Sequence, residues 1–397
     1  MAVEWIENWS HFRDYRDLGA RYTLEGDGAT LGNNIEILPA GGPTTMPSGA
    51  QSPRTAPGAL RFKGGLGGSN HARVKIELTA RDRYIVGFNF YWEGWNPNHS
   101  YGDDTIMFFR DEANNGNNLS VQLDYFGDQG EDDRGFFRIE AGPGGADHYD
   151  GNSEFDAGNT EHEFFLNQWY YLEFDMLIGN GDGAIEFRRD GVSLFKQSGL
   201  DTAVIAQEFI DEIHFSTGAA TALSTWGNGA IYRIADLHIV SPGGGGNETG
   251  FLYPAVVDNL YPNADTAEAD FTPQGGGTNV AEVDESPQHD YDTTYNDSNT
   301  ATHKDRFTLS GSVPESGYGR VMAVQVVAMA KDDADTGTRT ARVVIFENST
   351  EGVGTTLTLT ESEWQALYHV YEDNPDTSAA WLMADVEASE IGYELVS

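Results

Sequence analysis

Residues 167–196 constrain the fold more than any other stretch of this chain. Two runs of alternating apolar and polar residues, 170–177 and 184–188, flank a Gly-Asn-Gly-Asp-Gly turn, and a second turn at Asp190-Gly191 leads into residues 192–195. Period-2 alternation marks a strand with one buried face, and Asn/Asp-Gly turns supply the positive φ that tight hairpins require. The stretch therefore predicts a three-stranded antiparallel meander. A meander of this kind must lie on a second layer to bury its apolar face.

The same grammar runs through the first 240 residues. In residues 83–92, Tyr84, Val86, Phe88, Phe90 and Trp92 share one face, while Ile85, Gly87, Asn89 and Tyr91 form the more polar other face. Further strands are expected at 59–62, 73–78, 105–110, 119–125, 135–139 and 212–216, with 231–240 closing the sandwich. The chain's 397 residues exceed one ordinary core and suit two domains. Residues 242–250, mostly glycine, break the composition and read as a linker. This gives a β-sandwich over 1–241 and a second, smaller one over 251–397, the latter with strands near 307–309, 320–330, 339–346, 355–360 and 392–396. Residues 361–370 carry helical spacing after a Thr360/Glu363 capping box and predict a short helix.

Charge narrows the function. Aspartate and glutamate number 63 against 23 lysines and arginines, a formal net charge of −40. Such a surface repels nucleic-acid phosphates and anionic lipid, so neither is an expected partner. Only Lys63, Lys75, Lys196, Lys304 and Lys331 are lysines, and a lysine-poor, carboxylate-rich surface is the halophilic pattern, since molar salt cuts the Debye length to about 3 Å. An acidic secreted or marine protein is the competing reading. There is no cysteine, hence no disulfide or thiolate metal site. No apolar run is long enough to cross a bilayer, and residues 1–9 lack a signal-peptide pattern, which implies synthesis in a cytoplasm.

The meander, with Trp169 opening its first strand and Arg189-Asp190-Gly191 closing a hairpin, resembles the centre of a concanavalin A-like (laminin G-like) jelly roll. Beyond the linker the order of short motifs is similar to a family of virion structural proteins of tailed viruses of bacteria and archaea. These are Gly-Phe-Leu at 250–252, Leu-Tyr-Pro-Asn-Ala-Asp at 260–265, Phe-Thr-Pro at 271–273, Val-Asp-Glu at 283–285, Lys-Asp-Arg-Phe at 304–307, and Asn374-Pro-Asp-Thr before Trp381. The resemblance implies a non-enzymatic protein on the virion surface, a capsid decoration, turret or spike. It would act by assembly and display, with itself (as trimer or pentamer) and the major capsid protein as partners. The strand around Val321, Val324, Val326 and Val327 is apolar on both faces. Its cover is expected to be either the domain's own second layer or a neighbouring subunit.

Three chemistries remain to be placed. Sugar binding needs aromatic faces beside amide, carboxylate and imidazole groups, and the 92–104 loop supplies Trp92, Trp95, Asn96, His99, Tyr101 and Asp103, which would suit a carbohydrate-binding adhesin gripping host glycans; alternatively its tryptophans cap the core. The turns with Asn180 and Asp182, and with Asp128 and Asp132, carry the oxygen donors a structural Ca2+ takes, though hairpin turns favour the same residues and no cofactor is required. Glu173 and Asp175 emerge from one strand face as in jelly-roll glycan hydrolases, but Ile178 stands where the second glutamate of that scheme belongs. No phosphate loop and no nucleophile elbow occur.

Overall fold

The computed structural model describes residues 2–7, 9, 18–19, 21–25, 34–38, 58–63, 72–95, 104–111, 116–125, 134–141, 146–150, 163–203, 209–216, 230–242, 250–252, 255–284, 293–310, 320–333 and 338–397. Among the described residues sixteen strands build the N-terminal part: β1 (Ala2–Glu7), β2 (Thr23–Glu25), β3 (Ile35–Leu38), β4 (Ala59–Lys63), β5 (Arg73–Arg81), β6 (Arg83–Trp95), β7 (Asp104–Asp111) and β8 (Gly116–Tyr125), followed by β9 (Arg134–Ala141), β10 (Ala146–Asp150), β11 (Phe164–Phe165), β12 (Trp169–Leu177), β13 (Asn180–Arg189), β14 (Val192–Asp201), β15 (Ile210–Ser216) and β16 (Ala230–Ser241). They form two antiparallel sheets. The first runs β14-β13-β12-β6-β16-β4-β3 with β1 on β16, and the second runs β10-β9-β8-β7-β15-β5-β2 with β11 on β9. This is a jelly-roll sandwich.

The meander forms as its sequence dictates. β12 pairs β13 with Phe174 opposite Phe187, and Asp190 (φ 51°) and Gly191 (φ 81°) make the two-residue turn into β14. Two successive positive φ values are the type I′ signature that an Asp-Gly pair adopts cheaply. The inward residues of β6, Tyr84 through Trp92, are fully buried and interleave with the opposite sheet. Phe90 meets Phe137 edge-on at 5.3 Å, and Phe174 stacks on Phe187 at 4.7 Å. Each buried phenylalanine contributes about 1.5–3 kcal/mol relative to exposure, so the aromatic layer dominates this core. Tyr232 ties the layers together, since its hydroxyl on β16 donates to the carbonyls of Ile106 and Ser216 in the other sheet.

In the C-terminal part, strands Tyr261–Ala269, Lys304–Ser310, Glu390–Leu395, Thr340–Glu347 and Thr350–Val353 lie side by side in that order. The pair Val324–Ala330 and Gln365–Tyr371 forms a second layer over a small core of Val326, Val343, Ile345, Leu367, Tyr371 and Trp381. The expected helix at 361–370 is corrected here, because Gln365–Tyr371 is a strand. Pairing with the apolar Val324–Ala330 strand outweighs a capping signal worth about 1 kcal/mol.

The outer face of the first sheet is where the two parts meet. Leu252 N–H donates to Glu173 Oε1 (2.8 Å) and Val257 N–H to Asp236 Oδ1 (3.0 Å). Gln325 bonds both the N–H and the C=O of Ile6, at 3.3 and 2.7 Å, and Val3 N–H donates to Glu372 Oε1 (3.0 Å). Val3, Ile85 and Val240 pack there with Phe251, Leu252, Ala323 and Val370. Val326 is buried in the C-terminal core, with Val321 and Val324 packed against it and only partly buried, and Val327 is half-buried as well.

Candidate functional site

With the outer face of the first sheet occupied, the polar face of the second sheet becomes the place to look for chemistry. Alternation along β5 sends Val74 and Ile76 inward and Arg73, Lys75 and Glu77 outward. β15 does the same with Ile213 and Phe215 inward and Glu212 and His214 outward. Register then aligns Lys75, His214 and Phe108 in one row across β5, β15 and β7, with Glu77, Glu212 and Arg110 in the next.

Glu212 is the hub. Its Oε1 accepts from Lys75 Nζ at 2.8 Å, its Oε2 lies 2.9 Å from His214 Nε2, and Arg110 Nη1 is 3.8 Å away. Lys75 also reaches Glu77 at 3.1 Å. Burial alone would push the Glu212 carboxyl up, but hydrogen bonds from Lys75 and His214 hold it below the usual carboxylate range. Burial would lower Lys75, yet its bonds to Glu212 and Glu77 raise it, so both partners stay ionised. An ionised carboxylate only accepts, which fixes the proton of His214 on Nε2. The imidazole stacks on Phe108 with centroids 4.3 Å apart and 17° between planes, and Arg73 sits 5.2 Å over the same ring. Phe108, His214 and Glu212 are themselves buried, so they form a packed polar foundation, and the groups it presents toward solvent are Glu77 and the end of Lys75. A carboxylate that orients an imidazole is also what general acid–base work needs.

The residues expected from sequence fall elsewhere. Trp92 is fully buried in the inter-sheet core and donates its indole N–H to Gly94 O at 3.1 Å, so it packs and offers no face to a sugar. The side chains of Trp95, Asn96, His99, Tyr101 and Asp103 lie outside the described residues, as do Asp128 and Asp132. Asn180 and Asp182 are exposed at the start of β13. Among the described residues no three His, Cys, Asp or Glu side chains gather as a metal site. Glu173 is fully buried and bonded to the backbone of Leu252, while Asp175 is held by a two-pronged contact to Arg83 at 2.8 and 2.6 Å. Those two carboxylates are structural.

Sequence reasoning missed Lys75, Glu212, His214 and Arg110. The alternation in Arg-Val-Lys-Ile-Glu and Glu-Ile-His-Phe-Ser already placed them opposite the core; what it lacked was the pairing of β5 with β15, 137 residues apart at Lys75 and Glu212.

No family model and no curated protein matches the sequence. Solved structures do match in fold. An alginate lyase, Aly36B, in complex with alginate trisaccharide is 14% identical, covering 60% of this chain and 97% of its own with a TM-score of 0.40. A GH131 β-glucanase catalytic domain from Podospora anserina is 10% identical over 61% of this chain and 97% of its own, TM-score 0.33. A carbohydrate esterase from Shiga toxin-encoding bacteriophage phi24B is 10% identical over 59% and 98%, TM-score 0.32. At these identities the likeness is one of fold alone. Because these jelly-roll matches bear enzyme names, the expectation that this chain is no enzyme is withdrawn.

Proposed function

We propose that this chain is a surface protein of a virus particle, with the C-terminal part as its mount and the jelly roll as a glycan-recognising head. The observation that carries the recognition half is the division of labour between the two outer faces. One is sealed by the chain's own connecting segment and second domain, and the other carries the Lys75–Glu212–His214–Arg110 cluster against Phe108. The particle half rests on the order of motifs from residue 250 to Trp381, which resembles virion structural proteins. Its partners on this reading are further copies of the chain and the virion protein beneath, with Ca2+ or other cations screening carboxylates where copies meet.

Two measurements test the two halves. Labelling of purified particles with an antibody to this chain should decorate the particle surface, and particles lacking the chain would end the virion reading. The full chain on a glycan array, in molar salt, should bind a restricted set of saccharides. An array without signal would end the recognition reading, and assaying the bound saccharides for fragments shows whether the head also cleaves what it holds.

A further inference from the structure

A pocket of about 230 Å3 opens where the edge of the second sheet meets the C-terminal part. Its wall comes from four stretches: Trp5 on β1, Gly19 with Arg21, Tyr22 and Thr23, Lys75 and Glu77 on β5, and Tyr368 on the strand Gln365–Tyr371. Arg21 is the spacer. Its guanidinium lies 4.5 Å from the Trp5 ring centroid and 5.0 Å from that of Tyr368, and it donates to Glu7 Oε2 at 2.7 Å. Neutralised and stacked in this way, it holds Tyr368 edge-on to Trp5 at 4.9 Å. Tyr368 is nevertheless 36% exposed, an unusual state for an aromatic ring so firmly backed.

The polar groups of the pocket are paired yet retain capacity. Lys75 Nζ uses two of its three protons on Glu77 and Glu212. Glu77 Oε1 accepts from Lys75 and from Thr23 Oγ1 (3.3 Å), and its side chain is 67% exposed, leaving a carboxylate oxygen to accept from a ligand. Arg21 and Lys75 are matched by Glu7, Glu77 and Glu212, so the pocket carries no cationic surplus. An acidic sugar would gain nothing there and would meet a chain of net charge −40.

We infer that this pocket is a subsite for a neutral pyranose ring, whose C–H face stacks on Tyr368 while its hydroxyls bond Glu77, Thr23 and Lys75. The inference rests on the glycan-recognition reading above and adds the sugar class and the place. Because Tyr368 comes from the C-terminal part, the subsite exists only when the two parts are docked.

The test titrates the full chain with neutral trisaccharides of glucose, galactose and mannose and with a uronate trisaccharide, followed by calorimetry and tryptophan fluorescence. A neutral trisaccharide should bind and the uronate should not. Tyr368→Ala should weaken binding about tenfold or more and Tyr368→Phe less than about threefold, since stacking is kept. Glu77→Gln, at an exposed side chain, should weaken it about tenfold through loss of a charge-assisted acceptor. Unchanged thermal midpoints separate these effects from misfolding, and Thr23→Val serves if Tyr368→Ala is unstable. Binding unmoved by both Tyr368→Ala and Glu77→Gln, or a preference for the uronate, overturns the subsite while glycan recognition stands. Absence of binding here and on the array removes both.

Discussion

The two outer faces of the jelly roll start from the same alternating grammar and end in different roles. Each carries a buried histidine, and the contrast between them shows why. His238, on the first sheet, contacts the Tyr171 hydroxyl at 3.1 Å beside Asp236 and under the segment that leads to the C-terminal part. Burial without a carboxylate partner pushes it down to about 4. His214, on the second sheet, lies against Glu212 with Lys75 on the other carboxylate oxygen. One histidine is an uncharged packing piece and the other belongs to a charged relay. Period-2 patterning alone does not distinguish them, because what differs is the carboxylate and lysine that strand pairing brings alongside His214.

The contrast can be broken most forcefully at the ion pair. Lys75→Met leaves Glu212 with His214 and Arg110 only, and removing one partner of a buried pair costs about 3–5 kcal/mol. Urea unfolding should show that loss, and Lys75→Met with Glu212→Leu should recover part of it. A loss under about 1 kcal/mol would mean that the cluster is solvated.

The unfolded chain protonates His238 near 6.5 and the folded chain only near 4. Stability from this group is therefore complete above about pH 6.5 and falls as pH drops toward 4, by roughly 3 kcal/mol across the window. Carboxylates such as Glu212 and Glu186, held below their usual range, add their own loss toward lower pH. His238→Asn should flatten the part between pH 6.5 and 4.5, and a slope identical to the parent would contradict the assignment.

Smaller effects sharpen the picture of the sealed face. A Cβ at Gly87 would collide with the His238 imidazole and crowd the Tyr171 hydroxyl, so Gly87→Ala should cost about 1–3 kcal/mol by overpacking. Gln325→Ala removes two hydrogen bonds to Ile6 and should cost about 1 kcal/mol, read as earlier proteolysis between the two parts rather than as a large drop in thermal midpoint.

How much was legible in the sequence follows from these particulars. The meander, the inward face of β6 and the Asp190-Gly191 turn are local, and residues within reach of one another dictate them. The helix expected at 361–370 failed because a strand 40 residues upstream supplies a better partner than the capping box does. Trp92 looked like a ligand platform because a tryptophan beside a polar loop reads alike whether it faces solvent or core; only the opposing sheet decides. The Lys75–Glu212–His214 cluster and the Tyr368 pocket depend on pairings across most of the chain, which neither periodicity nor motif spacing encodes.

If the ligand sits on the second sheet and not the first, hydroxyl-radical footprinting of the full chain with a saccharide found on the array will show it. Protection is expected at Tyr368 and along residues 73–77, with residues 83–91 and 169–176 unchanged. Protection confined to those two first-sheet stretches would place the ligand on the wrong sheet and end this reading.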